Sequence, residues 1–360
     1  MIAAFTRAID NFLGRGDAAV TVPPLDGALR PNRMLDDAKS RFALEGVDDL
    51  AMVGGKLLAS AGSDIHAFDP KGRWKLHFVA GSPIACIAAI GSDGLAVGLA
   101  SGDILVTGGA FDGQRFRADP KANCLTAMVE SGGSLYVANG SATSAAGDWQ
   151  RDLIEQNASG SVWRIKLESG NSTCIADRLA WPAGLAVSEA GITISEAWGH
   201  RLLRLASGAQ AEILYHDLPG YPGRLSPAAD GWWLSMFAPR SQLVEFILRE
   251  PAYRQRMVEE VPQPYWVSPK LKSGKSFYEP LQGGGVKHLG VLKPWAPAMS
   301  AGFCIRLDNG FQPVASLQSR ADGATHGATS VLEADGQVYV AARGDGVVVC
   351  LPAQIAGGEA

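Results

Sequence analysis

One histidine in this sequence has the chemistry of a general base. His326 lies in the segment DGATHGATS. The ordinary pKa of histidine is near neutrality, so its side chain can activate water for attack on an ester or a lactone. The alternative is that His326 is a hydrogen-bonded structural residue of its loop. The sequence leaves both interpretations open.

Two arginines could recognise an anion. Arg224 and Arg240 both belong to the stretch LPGYPGRLSPAADGWWLSMFAPRS. A guanidinium is planar and always charged, and it binds carboxylates through two parallel hydrogen bonds. A pocket that contained either arginine would favour a small molecule with an acidic group.

Other hydrolytic and phosphate-binding motifs are missing from the sequence. It contains no GxSxG, no HExxH and no Cys/His/Asn set, so serine, zinc and cysteine hydrolase mechanisms have no support. The Gly-rich stretch 282–290 lacks the GxxxxGK[ST] pattern of a phosphate loop. We expect it to be a lid, with Tyr265, Trp266 and Trp295 supplying apolar contacts, or a clamp at the end of a blade.

Composition narrows the classes of partner. The net charge is −4 and the pI about 5.9, which gives no basic footprint for nucleic acid, so a small molecule is the expected partner. No apolar run approaches the roughly 20 residues that cross a bilayer. The five cysteines are scattered and odd in number, which favours free thiols and a cytoplasmic location.

An internal repeat decides the fold class. Six times, a turn with glycine is followed by short apolar or alternating runs typical of β-strands. Three of the five intervals between these turns are about 40 residues, the size of a four-stranded propeller blade. The pattern therefore predicts an all-β, six-bladed β-propeller. The glycines of the six turns are Gly55, Gly94, Gly133, Gly191, Gly231 and Gly336.

The two longer intervals predict insertions. The first holds a polar segment with helical character around residues 141–160, and the second a helical and Pro/Gly-rich cap at about 247–300. We therefore expect an N-terminal amphipathic helix and leading segment over 1–38 and a propeller over 39–352. A short tail covers 353–360.

Several segments resemble the strictosidine-synthase-like family, which is related to gluconolactonases and paraoxonases. The likeness is distributed over about residues 22–351 and is more specific for fold than for function. The segments that carry it are VPPLDGALRPNRMLDDA, LEGVDDLAMVGGKLLAS, LYVANGSATSAAGDWQRDLIEQNASGSVWRI, RLAWPAGLAVSEAGITISEAWGHRLLRL, LPGYPGRLSPAADGWWLSM and HGATSVLEADGQVYVAAR.

The resemblance implies a Ca²⁺ ion at the propeller axis in metal-binding members, held by a Glu and by later Asn or Asp residues. Glu45 matches the Glu, but Cys124, Ala183 and Gly223–Arg224 stand at the other ligand positions. One acidic ligand cannot build an oxygen cage, so we expect no cofactor and doubt Ca²⁺. The catalytic Glu of strictosidine synthases falls at Thr329, which cannot transfer that proton.

The resemblance also implies which residues surround the axis. Arg224 would either bind an anion there or pair with Glu45 across the channel. The implied axial positions are Glu45, Thr126, Gly184 and Arg224. The predicted catalytic residues are His326 and Glu45, with Glu45 also a metal ligand if Ca²⁺ binds. The predicted substrate-binding residues are Arg224, Arg240, Trp149, Trp198 and Thr126.

Three functions remain open from the sequence. The first is an enzyme that hydrolyses a lactone or ester, with Glu45, Arg224 and His326 sharing one deep axial pocket. The second is a propeller that binds an anionic metabolite without turnover. The third is a protein-interaction scaffold, as many propellers are.

Overall fold

The computed structural model describes residues 22–69, 71–206, 211–273 and 299–356. These residues form six four-stranded antiparallel sheets, which are the blades of a propeller. The predicted all-β, six-bladed fold is confirmed. The predicted N-terminal helix, the Gly-rich stretch 282–290 and Trp295 lie outside the described residues.

The strands follow one another from the axis outward in five of the blades. Blade 1 contains β2 (Val47–Val53), β3 (Lys56–Ala61), β4 (Asp64–Phe68) and β5 (Trp74–Val79). Blade 2 contains β6 (Ile84–Ile90), β7 (Gly94–Leu99), β8 (Asp103–Thr107) and β9 (Arg115–Arg117). Blade 3 contains β10 (Leu125–Ser131), β11 (Ser134–Asn139), β12 (Gly160–Lys166) and β13 (Ser172–Leu179).

Blades 4 and 5 repeat this order, and blade 6 departs from it. Blade 4 contains β14 (Pro182–Ser188), β15 (Gly191–Glu196), β16 (Arg201–Leu205) and β17 (Glu212–Tyr215). Blade 5 contains β18 (Gly220–Ala228), β19 (Gly231–Pro239), β20 (Gly302–Leu307) and β21 (Pro313–Ser319). Blade 6 contains β22 (Ala328–Ala334), β23 (Gln337–Ala342), β24 (Val347–Pro352) and, on its outer edge, β1 (Ser40–Ala43).

Strand β1 closes the ring. It pairs antiparallel with β24, from Ser40 opposite Cys350 to Ala43 opposite Val347. The chain therefore enters the propeller in the blade where it also ends. This pairing covers an edge of β24 that would otherwise carry unpaired backbone groups.

Tight turns join the first two strands of several blades. In blade 1 the turn is Gly54–Gly55, with φ values of 55° and 70°, and in blade 6 it is Asp335–Gly336, with 51° and 70°. Positive φ at both central positions is the two-residue hairpin geometry that glycine favours. The glycines that marked the repeat thus fix the hairpins that build the blades.

Burial decreases from the inner strands to the outer ones. In blade 1, β2 is almost entirely buried, whereas β5 is mostly exposed or half-buried. The inner strands pack between neighbouring blades, so the side chains on both of their faces are largely buried. Most of the core therefore surrounds the axis.

Every innermost strand carries a register shift near the residue that faces the axis. In β2, Val47 pairs with Ala61 and Asp49 with Ser60, so Asp48 is an extra residue. A β-bulge of this kind turns one side chain away from the regular ladder. The residues at the six shifts are Asp48, Ala85, Thr126, Ala183, Gly223–Arg224 and Thr329.

Helices of the two insertions pack together at one end of the propeller. The blade 3 insertion contains α1 (Trp149–Glu155), and the blade 5 insertion contains α2 (Gln242–Leu248) and α3 (Pro251–Glu260). Ile154, Ile247, Met257 and Trp266 form a buried cluster between them. A last short helix, α4, spans Ala353–Ala356. None of the helices in the described part of the chain is long and apolar enough to cross a lipid bilayer.

Candidate functional site

A cavity of about 380 Å³ lies at the axial end of the propeller, beneath the insertions. Its volume is within the range of small-molecule sites. All six innermost strands contribute to it through the residues at their register shifts. Its other lining residues include Trp149, Trp181, Phe237, Leu271 and Arg343.

Arg224 forms part of the cavity floor. Only 14% of its side chain is exposed. Each of its five N–H groups is directed at oxygen, and the partners lie in four other blades, which are blades 1, 2, 3 and 6. Nε contacts Thr126 O (3.2 Å) and Asp49 Oδ2 (3.2 Å); Nη1 contacts Asp48 O (3.0 Å) and Thr329 O (3.2 Å); Nη2 contacts Asp48 Oδ2 (2.8 Å) and Ala85 O (2.7 Å).

The two aspartates of β2 differ in their pKa shifts. Burial alone would raise the pKa of Asp48, but Arg224 and Arg343 outweigh that effect and lower it below its ordinary value. Burial raises the pKa of Asp49, although Arg224 opposes this shift. Asp48 is therefore held ionised at neutral pH and is a weak proton acceptor.

The axial residues do not fit a Ca²⁺ ion. The oxygens that would ligate the ion already accept hydrogen bonds from the Arg224 guanidinium, and a second cation would be repelled by its charge. In addition, no cluster of three or more His, Cys, Asp or Glu side chains able to hold a metal occurs among the described residues.

Arg343 faces the same cavity from a more exposed position. Its Nη1 donates to Asp48 Oδ1 over 3.0 Å, and half of its side chain, 50%, is exposed. Within the described residues this is the guanidinium's one hydrogen bond, so most of its N–H groups face solvent or the cavity. Arg343 can therefore donate to an oxygen of a bound molecule.

Aromatic side chains form an apolar part of the cavity lining. Trp149 and Phe237 meet edge to face, with ring centroids 5.4 Å apart, and Trp181 is almost fully buried beside them. Two threonines complete the lining near the axis. Thr126 donates its Oγ1 hydrogen to Pro182 O over 2.6 Å, and Thr329 donates to Asp48 O over 2.6 Å. Among the residues that the structure describes, the cavity thus combines an apolar surface with one guanidinium, that of Arg343, whose donors are mostly available.

Glu45 does not line the cavity, so its predicted position there is wrong. It is exposed in the connection that precedes β2, where its carboxylate lies beside Gly346. The register shift in β2 falls three residues later and directs Asp48 towards the axis. Arg224 accordingly pairs with Asp48 and Asp49, and its predicted pairing with Glu45 is also wrong.

His326 does not line the cavity either, which contradicts the predicted shared pocket. Only 1% of its surface is exposed. Its Nε2 is 2.9 Å from Arg320 O, which can only accept, so Nε2 carries the hydrogen and Nδ1 accepts from Ser300 Oγ at 2.8 Å. Burial and the nearby Lys272 lower the pKa of His326. The contacts are those of a neutral structural residue.

Arg240 and Trp198 lie away from the axial cavity. Arg240 is paired with Asp217 (2.7 Å) and Glu245 (3.3 Å), and only 8% of its side chain is exposed. Trp198 stacks on the far side of Trp181 at 5.0 Å and donates to Asp152. It lines a smaller cavity of about 220 Å³ together with His200 and Glu245. Of the predicted substrate-binding residues, Arg224, Thr126 and Trp149 line the axial cavity.

Asp48, Trp181, Phe237 and Arg343 were missed as site residues from the sequence. The signal for Asp48 was available: VDDLAM places two aspartates at positions where the other innermost strands carry no acidic residue. No comparable pattern marked Arg343, because its place depends on how β23 ends over the axis.

Comparison with known proteins gives one sequence relative and several structures. No protein-family model matches the chain. Hemomucin of Drosophila melanogaster, an adipocyte plasma membrane-associated protein, is 34% identical over 86 residues, which is 22% of this chain and 15% of that protein. The chain thus matches only a small part of its relative's length.

The structures are similar over most of the chain at low sequence identity. A gluconolactonase of Xanthomonas campestris has a TM-score of 0.52 at 13% identity, with 92% of this chain and 95% of that chain covered. A putative gluconolactonase has a TM-score of 0.52 at 10% identity, with 89% and 91% covered. The calcium-binding protein regucalcin of Agrobacterium tumefaciens has a TM-score of 0.50 at 10% identity, with 84% and 85% covered.

These comparisons agree with the resemblance found in the sequence. Identities this low establish the fold alone, whereas the hemomucin segment reports common ancestry over its own length. The resemblance is confirmed over that segment, where the chain is related to an adipocyte plasma membrane-associated protein, and the chain has the six-bladed fold of gluconolactonases and regucalcin.

Proposed function

We propose that the axial cavity binds a small molecule with an apolar body and an acidic group, without a metal ion. The observation that carries this proposal is the position of Arg343. Its half-exposed guanidinium faces a cavity whose lining also contains Trp149, Trp181 and Phe237. An aromatic carboxylate would stack on these side chains and accept hydrogen bonds from Arg343.

Arg224 is not the anion-binding group in this proposal. Its N–H groups already contact backbone and carboxylate oxygens, and releasing one would leave a buried acceptor unpaired. Arg343 has one such contact, so a ligand can engage it at little cost to the fold. The predicted anion site is therefore moved from the floor of the cavity to its mouth.

Hydrolysis of a lactone or ester is the second candidate. It is favoured by the Asp48–Arg343 pair, since Arg343 could stabilise an oxyanion while Asp48 orients a water molecule. The gluconolactonase neighbours share only the fold. The lowered pKa of Asp48 weakens it as a base, and His326 is absent from the cavity lining, so binding without turnover remains the first proposal.

Tryptophan fluorescence can test the binding proposal, because Trp149 and Trp181 line the cavity. We would titrate the protein with naphthoate and with naphthamide, which has the same aromatic body without the charge. The proposal predicts saturable binding of naphthoate, weaker binding of the amide, and at least a tenfold loss of naphthoate affinity in Arg343→Ala, equivalent to about 1.4 kcal/mol.

A control variant separates this effect from a general change of charge. Arg178→Ala removes an arginine that is 89% exposed and pairs only at the surface, so it should bind naphthoate like the unmodified protein. Equal binding of naphthoate and naphthamide, or undiminished binding by Arg343→Ala, would contradict the proposal. Acid release from dihydrocoumarin, lost in Asp48→Asn, would favour the hydrolase instead.

A further inference from the structure

The floor of the axial cavity has the chemistry of a cation site. Six oxygen atoms surround the guanidinium of Arg224: four backbone carbonyl oxygens and two carboxylate oxygens. Carbonyl and carboxylate oxygens are also the ligands that hard metal cations prefer. The cation present here belongs to the protein.

This cation connects most of the ring. Arg224 extends from blade 5, and its partners lie in blades 1, 2, 3 and 6. Blade 4 joins the same floor by two further bonds, from Ser195 Oγ to Gly223 O (2.6 Å) and from Thr126 Oγ1 to Pro182 O (2.6 Å). One side chain therefore links carbonyl groups of four blades where they converge on the axis. Two of these oxygens also accept from a second donor, Asp48 O from Thr329 Oγ1 and Thr329 O from Ser235 Oγ.

Close backbone packing supports an assembled floor. A Cβ atom at Gly184 would lie 2.3 Å from Gly223 O and 2.8 Å from the Cα of Arg224. The inner strands of blades 4 and 5 can approach this closely only because position 184 has no side chain. The backbone that carries Arg224 is thus held in place on the blade 4 side.

We propose that Arg224 is a built-in cation that replaces a metal ion at the propeller axis, and that shortening it exposes a site for a divalent cation. The positive charge neutralises Asp48 and satisfies the converging carbonyl oxygens. A shorter, uncharged side chain removes the hydrogen bonds that Arg224 donates to Asp48 Oδ2, Ala85 O and Thr126 O. A divalent cation of suitable size can then take the guanidinium's place.

Three substitutions distinguish this role from that of an ordinary salt bridge. Arg224→Asn vacates the space and adds one amide oxygen. Arg224→Met fills the space without charge and leaves no room for an ion. Arg224→Lys keeps a tethered positive charge. If Arg224 formed only a salt bridge, all three variants would be less stable than the unmodified protein, and Ca²⁺ would raise the Tm of none of them.

The experiment is thermal unfolding of the full chain in EDTA and in CaCl2, with Ca²⁺ binding followed by calorimetry. We expect Arg224→Asn to gain about 3–4 °C in Tm when Ca²⁺ is a hundredfold above its Kd. The unmodified protein, Arg224→Lys and Arg224→Met should show no such shift. Without Ca²⁺, Arg224→Lys should melt above Arg224→Met.

Several results would overturn the proposal. These are a Ca²⁺ response in the unmodified protein equal to that of Arg224→Asn, a folded Arg224→Asn that ignores Ca²⁺, or an Arg224→Met as stable as Arg224→Lys. If Arg224→Asn is insoluble in EDTA, refolding with CaCl2 should recover it. If no variant folds with or without Ca²⁺, the shape of the guanidinium is required and its charge is insufficient, which would also refute the proposal.

Discussion

Two arginines contact opposite oxygens of one carboxylate and have different surroundings. Arg224 contacts Asp48 Oδ2 from the floor of the cavity with 14% of its side chain exposed, and Arg343 contacts Oδ1 from the mouth with 50% exposed. The first guanidinium has all its donors engaged within the protein, whereas the second has most of them available. The same residue type therefore serves assembly at one position and can serve binding at the other.

The clearest way to break this comparison is to remove each charge in turn. Arg224→Met should lower the free energy of unfolding by about 3–5 kcal/mol, because it removes the charged donor of Asp48 Oδ2 and of the carbonyl oxygens of Ala85 and Thr126. Arg343→Met should change it by less than about 1 kcal/mol, since exposed pairs contribute little. Urea unfolding measures the free energy of unfolding of both variants. Equal losses would show that the two arginines contribute equally to stability, which would contradict the comparison.

Two glycines allow the floor and the mouth of the cavity to be compared through the backbone. Gly184→Ala should cost about 1–3 kcal/mol, because its Cβ would meet the backbone of Gly223 and Arg224 at the floor. Gly147, which lines the mouth, has no atom within 4 Å of an added Cβ, so Gly147→Ala should be nearly neutral. Thermal unfolding of the two variants side by side checks this, and a tolerant Gly184 would mean that the floor can move.

The pH dependence of stability should involve His326. Burial and Lys272 lower the pKa of His326, so the unfolded chain takes up a proton that the folded one resists. Stability from this residue is therefore present above the ordinary pKa of histidine and is lost as pH falls below it. His326→Asn should be less stable by about 1–2 kcal/mol at pH 7.5, because buried hydrogen bonds are lost.

That difference should narrow towards pH 5.5, as the unmodified protein loses stability that the variant does not have. Urea unfolding at a series of pH values checks the trend. A stability difference that stays constant or widens on acidification would contradict the assignment of His326 as a neutral structural residue. Weakened naphthoate binding by His326→Asn would indicate that this residue contributes to the binding site.

The smallest expected effect sharpens the comparison at the mouth. Because Arg343 is half exposed, salt should screen its attraction for an anion, and naphthoate affinity should fall about two- to threefold between low salt and 0.5 M NaCl. Arg343→Ala should lose most of this dependence. If Arg343→Ala kept the same salt dependence, the carboxylate of naphthoate would be bound by a cationic group other than Arg343.

The sequence predicted the fold better than the site, and the reason is physical. Glycines at hairpin turns recur with the blade, so Gly55 and Gly336 marked the architecture directly. Site residues depend on the register shift at which each inner strand turns a side chain to the axis. Thr126 and Arg224 were predicted at such positions, whereas Glu45 is three residues short of the shift at Asp48.

The remaining site residues come from longer-range packing. Trp181 directly precedes β14 and Phe237 lies in β19, and both line the cavity together with Trp149 and Leu271 of the insertions. His326 is of a residue type that can act as a general base, but it is enclosed by Ser300 and Arg320. Residue type and spacing alone do not distinguish these two environments.

A crystal structure of the protein grown in CaCl2 would test the central claim most directly. The account predicts the Arg224 guanidinium at the axis, contacting Asp48 and the carbonyl oxygens of Ala85 and Thr329, with no calcium density among them. Arg343 should face the cavity. A Ca²⁺ ion at the axis with Arg224 displaced would contradict the account and restore a metal-dependent site.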